Sequence, residues 1–377
     1  MNQSEQILLA AIQGALFGIE AHYPEDADWD AVVKAAREQA VFGLVANALP
    51  AEVQRKWEML LYQSAIKNTQ NTYAQTTLWQ LLEAHQIPMV VLKGTAASVY
   101  YPDPSLKALG DIDFYVATDH LDRAKEVLAA QDFEAVGAGD SRHFPYKKDG
   151  ISYELHHRFS YDDLDIESYI AEGVRCAQIA SVDQQPFPML PPLANGLVLL
   201  AHMRYHLKSG LGLRQIIDWM MYCHQVLSDR FWASEFLPAC KAVGMDTLAI
   251  TVTRMCQLYM GLGEEITWCQ NADVRTCEML LENLFASGNF GAKNAAGVRF
   301  ETVSTYFKSE GFFRYLQRSG EITWEAYHKH PGLKPFCWFY QLCRYTRMTL
   351  KSKRGTKLLS DFSRSEERAE LLKRLGI

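Results

Sequence analysis

The chain has 377 residues, of which 48% are hydrophobic, and its formal net charge at pH 7 is −6. This length suffices for two or three domains with a substantial core. The acidic balance excludes a protein that binds polyanions over its whole surface, so any contact with nucleic acid must be local. The sequence has no apolar run long enough to predict a transmembrane helix.

The eight cysteines include no Cys-x-x-Cys pair and lie mostly within apolar helical patterns. This arrangement is typical of reduced, buried thiols and predicts a cytoplasmic protein. The apolar run from Ile7 to Ile19 follows Glu5 rather than a Lys or Arg, and Gln13 interrupts it. These features favour a helix of a soluble domain over a signal peptide.

The first part of the chain has the periodicity of helices. Asp26 and Asp28 are candidate N-caps of a helix that runs to about Leu49, and a further helical pattern extends from Pro50 to His85. We see no catalytic pattern here. We therefore predict an N-terminal helical region over residues 1–85 that packs on the rest of the chain or holds a partner.

The next segment has the pattern of a strand, a tight turn and a helix. Residues 87–92 form a short apolar run, and Gly94 allows a sharp turn into a helix from about Thr95 to Tyr101. Such a junction directs backbone N–H groups to the space above the helix N-terminus, where a phosphate can bind. Lys93 adds a positive charge beside it.

A short strand with two aspartates follows at residues 110–116. Because strand side chains alternate, Asp111 and Asp113 lie on one face while Ile112 and Phe114 lie on the other. Two carboxylates about 4 Å apart repel by roughly 4 kcal/mol at an effective dielectric constant near 20. The pair therefore predicts a divalent metal ion between them.

A predicted hairpin supplies a third carboxylate. Asp149-Gly150 separates alternating runs at 142–148 and 151–159, which is a strong hairpin pattern. In the second run, Glu154 shares a face with His156. If this strand lies beside the aspartate strand, three carboxylates converge, and they suit Mg²⁺, with Mn²⁺ as the alternative. Such a site is typical of phosphoryl or nucleotidyl transfer.

Each of these elements alone has a simpler interpretation. An isolated Asp-x-Asp is commonly a turn cap or a solvent-facing pair. Glu154 alone is typical of the polar face of an exposed hairpin. The three elements together, in this order and on compatible strands, favour a metal site.

These motifs also carry a family resemblance. Leu-Lys-Gly-Thr at 92–95, Gly-Asp-Ile-Asp-Phe at 110–114 and Glu-Leu-His at 154–156 resemble the nucleotidyltransferase superfamily of DNA polymerase beta. They resemble more closely the bacterial family of uncharacterised nucleotidyltransferases. The resemblance implies an α+β fold, in which a small mixed β-sheet forms a core over 86–165 between the N-terminal helices and a C-terminal helical domain over 166–377.

By position, the resemblance assigns metal binding and catalysis to Asp111, Asp113 and Glu154. It implies that an NTP is the substrate. Thr95 replaces the commoner serine of the turn and keeps its hydroxyl, whereas Lys107 stands where an arginine is commoner. The residues implied to contact the nucleotide are Lys93, Gly94, Thr95, Lys107, His202, His206 and Arg214.

After the hairpin we expect helices. His202 and His206 are four residues apart in an apolar helix from Leu193 to Leu207, so both lie on one face. A zinc site is disfavoured because a third ligand and a protease motif are missing. By the resemblance, both histidines and Arg214 face the nucleotide and Asp218 orients Arg214. The alternative is a buried polar network that joins two helices.

Two later segments have biased composition. Residues 338–377 contain ten Lys or Arg against four Asp or Glu. This excess predicts contact with RNA or a membrane surface, and the alternative is a solvated terminal helix. The glycine-rich segment at 287–291 lacks the spacing of a phosphate-binding signature, and we predict a connector.

Two classes of function remain. The first is an enzyme that moves an NMP group from an NTP onto a hydroxyl of an acceptor, which is a small molecule, a tRNA end or a protein, and releases pyrophosphate. The second is a catalytically inactive module of the same fold that binds a partner. Glycosyl transfer also uses Asp-x-Asp, but it is disfavoured because the N-terminus is helical rather than a nucleotide-binding βα unit.

Overall fold

In the computed structural model, the chain folds into a seven-stranded sheet flanked by helices. The structure describes residues 1–137, 142–159, 165–207, 210–289, 311–324, 326–327, 330–351 and 358–377. The strands are β1 (Val90–Leu92), β2 (Ile112–Tyr115), β3 (Glu134–Ala135), β4 (His143–Lys148), β5 (Ile151–His156), β6 (Gln178–Val182) and β7 (Gln185–Met189). Over this part of the chain, no helix has both the length and the apolar character needed to cross a membrane.

The α-helices of the described residues lie before the first strand, between strands and after the last strand of the sequence. They are α1 (Gln3–Phe17), α2 (Trp29–Glu38), α3 (Phe42–Val45), α4 (Ala51–Ala84), α5 (Gly94–Ser98), α6 (Leu121–Ala130), α7 (Glu167–Arg175), α8 (Pro192–Leu207), α9 (Leu213–Gln225), α10 (Asp229–Phe231), α11 (Leu237–Ala242), α12 (Asp246–Met260), α13 (Val274–Ser287), α14 (Phe312–Thr323), α15 (Cys337–Lys351) and α16 (Leu358–Arg374).

The sheet has the strand order β3-β4-β5-β2-β1-β7-β6. β2 runs parallel to β5 and β1 runs parallel to β7, whereas the other neighbouring strands are antiparallel. The sheet is therefore mixed, and the predicted α+β fold class is confirmed.

The hairpin of β6 and β7 corrects the expectation that the chain is helical after the β4–β5 hairpin. β7 pairs with β1 through Met189 and Val91, which places the second hairpin inside the same sheet. β7 contains Pro186 and Pro188. Because proline cannot donate a backbone hydrogen bond, it argues against a strand at the level of sequence. The division of the chain into three regions stays a prediction.

The N-terminal helices are present where they were predicted, with one difference in length. Asp28 caps α2, and its side chain accepts a hydrogen bond from the backbone N–H of Ala31. α2 ends at Glu38 rather than near Leu49, and Ala40 follows with a positive φ of 55°. A left-handed residue of this kind cannot continue a right-handed helix.

The alternation of side chains gives β2 and β5 an apolar face and a polar face. Ile112 and Phe114 of β2 are buried, as are Tyr153 and Leu155 of β5. Burial of this face stabilises the sheet through the hydrophobic effect. The residues between them in sequence, which include the acidic ones, consequently lie on the opposite face of the sheet.

Helix α4 holds the loop that leads into β2. The buried Asn68 side chain makes three hydrogen bonds of 2.7–3.0 Å to the backbone of residues 105–109. Asn71 donates to the carbonyl oxygen of Gly110 at 2.7 Å. Helix α4 therefore fixes the position at which Asp111 enters the site, although it contains no catalytic motif.

Replacing Asn68 by alanine (Asn68→Ala) should lower the free energy of unfolding by about 2–3 kcal/mol, because buried backbone groups of the loop lose their partner. Gln70→Ala is the matched control, since Gln70 is exposed on the same helix and its loss should change stability by less than about 0.5 kcal/mol. Urea denaturation followed by circular dichroism measures both changes. Equal values for the two variants would contradict the proposed hold on the loop.

Candidate active site

Strand pairing brings the predicted catalytic residues together. In the parallel register of β2 and β5, Asp113 lies opposite Glu154. In the antiparallel register of β1 and β2, Leu92 lies opposite Asp113. Lys93, the next residue, therefore leaves β1 beside the acidic pair. Every predicted site residue except Thr95 lines one cavity of about 460 Å³. Thr95 is buried and does not line this cavity.

Asp113 is the most heavily contacted of the three acids. The Lys93 Nζ atom lies 2.7 Å from its Oδ1 atom, and the His156 Nε2 atom lies 2.9 Å from the same oxygen. Burial alone would raise the pKa of Asp113, but Lys93 and then His156 outweigh burial, so the pKa lies below its usual range. Asp113 is therefore ionised at neutral pH.

Glu154 and His156 extend the site along β5. The His156 Nε2 atom lies 3.4 Å from a carboxylate oxygen of Glu154. The potential ligand atoms of Asp113, Glu154 and His156 all lie within 4.8 Å of one another, so this group could bind a metal ion. Our sequence prediction omitted His156, although it shares the face of Glu154 in the Glu-Leu-His motif.

Asp111 lies at the exposed edge of the acidic cluster. Its pKa is raised by partial burial and then by the charges of Glu154 and Asp113. The direction of this shift agrees with the carboxylate repulsion inferred from the spacing of the aspartates. A set of carboxylate oxygens that repel one another, with an imidazole nitrogen beside them, fits a divalent cation.

The turn that carries Lys93 is strained. Lys93 has a φ of 51° and a ψ of −139°, a conformation that is rare outside glycine and costs on the order of 1–3 kcal/mol. It lies between β1 and Gly94, which also has a positive φ, at 30°. The Lys93 ammonium lies over the ring of Phe159 at 5.5 Å. The turn thus directs a buried positive charge onto Asp113.

A second ion pair lies deeper in the cavity. The buried Lys107 Nζ atom contacts Asp218, which also accepts a hydrogen bond of 2.7 Å from the Tyr101 hydroxyl. Burial lowers the pKa of Lys107, the Asp218 charge opposes this effect, and the Arg214 charge adds to it. Lys107 therefore lines the cavity with its charge already paired.

Arg214 reaches the loop that α4 holds. One of its terminal nitrogens donates to the carbonyl oxygen of Ala108 at 3.3 Å. The expected role of Asp218 in orienting Arg214 stays a prediction, because the close contacts described for Asp218 are to Lys107 and Tyr101.

His202 and His206 form an adjacent pair on α8. Their rings meet edge to face with centroids 4.4 Å apart. Burial, followed by the charge of Lys93, lowers the pKa of both histidines, to about 3 for His206. Both are therefore neutral at physiological pH. Among the described residues, the group of side chains close enough to bind a metal includes neither histidine.

The β4–β5 hairpin contributes cationic side chains that the sequence prediction missed. Arg142 precedes β4 and lies over the ring of Tyr205 at 5.1 Å, and Arg158 follows β5. Both line the cavity, as do His143 and Gln215. Arginines that flank a hairpin form no motif, so their convergence on the acids became visible only in the fold.

Two predicted segments lie partly outside the described residues. They are the glycine-rich connector from residue 290 onward and the basic tail at residues 352–357.

In metal-free protein, Asp111→Asn should raise the free energy of unfolding by about 0.5 kcal/mol, because it removes a solvent-screened carboxylate repulsion. Asp113→Asn should lower it by about 2–3 kcal/mol, because Lys93 and His156 lose a buried partner. Urea denaturation in EDTA measures both changes. The same sign for the two variants would contradict the charge arrangement.

The advantage of Asp111→Asn should also depend on pH. The raised pKa of Asp111 in the folded state means that its penalty is complete at neutral pH and disappears as the pH falls below its unfolded value of 3.8. The stability difference between wild type and Asp111→Asn should therefore shrink between pH 7 and about pH 4. A constant difference would contradict the assigned pKa direction.

Five solved chains resemble parts of this chain, and two of them show the extent of the similarity. One is the antibiotic-resistance factor ANT(2'')-Ia, at 10% sequence identity over 46% of this chain and 92% of that one, with a TM-score of 0.34. The other is an antigenic nucleotidyltransferase-like protein from Paracoccidioides brasiliensis, at 15% identity over 52% of this chain and 95% of that one, with a TM-score of 0.34. At these TM-scores neither similarity bears on function.

A comparison with curated proteins finds no match. The family of uncharacterised nucleotidyltransferases, however, matches residues 25–261, which is more than half of the chain. The match covers all the strands and every predicted site residue. The chain therefore belongs to the uncharacterised nucleotidyltransferase family.

Proposed function

We propose that the protein transfers an NMP group from an NTP to a hydroxyl of an acceptor and releases pyrophosphate. The observation that carries this proposal is the convergence of Asp111, Asp113 and Glu154 with several cationic side chains on one cavity. Membership of the nucleotidyltransferase family supports the reaction class and an NTP as the substrate.

The acids are suited to hold a divalent cation, for which we propose Mg²⁺ or Mn²⁺. Asp113 and Glu154 would hold it from adjacent strands, with Asp111 at the edge. When bound, such an ion neutralises triphosphate charge and favours ionisation of the attacking hydroxyl.

The cationic side chains are suited to hold the triphosphate. Phosphoryl chemistry depends mainly on positioning and on neutralising charge. Lys93 lies at the turn before α5, whereas Arg142, Arg158 and Arg214 come from other parts of the cavity wall. Arginine can bind phosphate through two parallel hydrogen bonds, so these residues are suited to fix its orientation.

Lys107, His202 and His206 have a different role in this proposal. Asp218 already neutralises Lys107, so its charge contributes little to phosphate affinity and its main effect is to shape the cavity. Because both histidines are neutral, they contribute hydrogen bonds to the base or the ribose rather than positive charge.

Three kinds of acceptor fit the proposed chemistry, namely a small-molecule hydroxyl, a tRNA end and a protein side chain. Contact of RNA with the basic tail stays a proposal, and part of that tail lies outside the described residues. A catalytically inactive binding module of the same fold is the alternative function.

Asp113→Asn should reduce NMP transfer at least about 10³-fold, because it removes a carboxylate from the centre of the proposed cation site. Asp122→Asn makes the same chemical change at an exposed aspartate of α6 and should leave the rate within about twofold. The measurement follows radiolabel from the NTP into product with Mg²⁺ present. Wild-type transfer by Asp113→Asn would refute the carboxylate mechanism.

A screen for the acceptor decides between the two classes of function. Purified protein is incubated with each of the four NTPs and a cell extract, and pyrophosphate release is measured against Asp113→Asn. Release that requires Asp113 supports the enzyme, and mass spectrometry of the labelled product then identifies the acceptor. Absence of release with all four NTPs and with extracts from several growth conditions favours the binding module.

A further inference from the structure

We propose that His156 is a metal ligand and that it makes the cation site selective for Mn²⁺ over Mg²⁺. The inference deepens the proposed function and rests on it in one respect, namely that the acidic cluster binds a cation. The sequence motif predicted a site made of three carboxylates. The geometry instead places an imidazole nitrogen with Asp113 and Glu154, and places Asp111 outside that group.

The distances around His156 match those between ligands of one ion. Two ligands bonded to a metal at about 2.1–2.2 Å and separated by a right angle lie about 3.0 Å apart. The His156 Nε2 atom lies 2.9 Å from an oxygen of Asp113 and 3.4 Å from an oxygen of Glu154. A cation can therefore bind all three groups after small side-chain adjustments.

The ring of His156 is held in place for this role. Its exposed fraction is 4%. It stacks on His143 with centroids 5.2 Å apart and contacts the ring of Phe159 at 5.6 Å. A ligand whose position is fixed by packing loses little entropy when a metal binds, which strengthens the site.

Lys93 does not prevent this coordination. Its ammonium lies 2.7 Å from the Oδ1 atom of Asp113, where it competes with a cation for that oxygen. A carboxylate has two oxygens with several lone pairs, so Asp113 can keep its contact with Lys93 and still bind a metal. The competition lowers the affinity for every divalent ion and does not distinguish between them.

The mixed donor set determines which ion is preferred. Mg²⁺ prefers oxygen ligands in near-ideal octahedral geometry, whereas imidazole nitrogen suits first-row transition metals. Mn²⁺ accepts both carboxylate and imidazole ligands and, like Mg²⁺, binds the oxygens of a triphosphate. Two carboxylates and one imidazole therefore favour Mn²⁺ over Mg²⁺, whereas three carboxylates would not distinguish between these two ions.

A different role for His156 is to bridge the two acids as a hydrogen-bond donor. The variant His156→Gln separates the two roles, because the glutamine amide can still donate near the position of Nε2 but is a poor metal ligand. His120→Gln is the matched control. It makes the same chemical change at a histidine beside Asp119, outside the cavity lining and outside the metal-ligand group.

The experiment measures metal binding to the full chain without nucleotide. Free Mn²⁺ is quantified by electron paramagnetic resonance during titration of metal-free protein, and Mg²⁺ affinity is obtained by competition. We expect His156→Gln to weaken Mn²⁺ binding roughly 10- to 100-fold and Mg²⁺ binding less than about threefold. His120→Gln should change both by less than about twofold. An unchanged Mn²⁺ affinity, or an equal loss for both ions, would show that His156 is a bridge and not a ligand.

A second measurement needs no variant and covers the case in which His156→Gln fails to fold. Electron spin-echo spectroscopy of Mn²⁺ bound to the wild-type protein should show modulation from a directly coordinated imidazole nitrogen. Its absence would overturn the proposal. Neither measurement involves an NTP. If the protein binds Mn²⁺ through His156 but transfers no NMP group, the role of His156 stands and the proposed function fails. If it transfers NMP groups but shows no nitrogen signal, only the role of His156 is refuted.

Discussion

The parallel pairing of β2 with β5 is the constraint on which the rest of the site depends. It places Asp113 directly opposite Glu154, and His156 follows two residues later on the same face of β5. Acids so close together destabilise the folded protein unless positive charge lies among them. Lys93 supplies that charge from a strained turn, with its ammonium 2.7 Å from Asp113. The strain at Lys93 and the repulsion at Asp111 are thus two local costs of one arrangement, and both lie where the chemistry is proposed.

The helices complete this arrangement rather than merely cover the sheet. α4 holds the loop before β2 through Asn68 and Asn71. The same loop presents Lys107 to Asp218 of α9 and accepts a hydrogen bond from Arg214. Helices from the N-terminal and C-terminal parts of the chain therefore contact the same short loop. A shift of either would change the position of Asp111, which follows this loop. This is a physical reason for the family match to extend well beyond the sheet.

Much of this site could be predicted from sequence because its key residues follow local rules. Alternation in two strands indicated the faces of Asp111, Asp113 and Glu154, and the Asp149-Gly150 turn indicated the hairpin that carries the third acid. β7 could not be predicted in this way, because its two prolines argue against a strand. Its pairing with β1, which is visible only in the fold, shows that it is one. Residues such as Asn68 and Arg142 were missed for a related reason: their partners are distant in sequence and only the fold brings them together.

The charges of the cavity explain why its two sides suit different parts of a substrate. On the side of the strands, Asp113 and Glu154 concentrate negative charge that a metal ion would neutralise, and the same ion would also bind triphosphate oxygens. On the side of α8, burial lowers the pKa of both histidines, and the charges of Lys93 and Arg214 lower it further, so both are neutral. A neutral wall binds a base or a sugar without competing for phosphate. The cations that add to the effect of burial on His206 are the ones that we propose as phosphate ligands. In this proposal, one set of charges would therefore separate the two halves of a nucleotide.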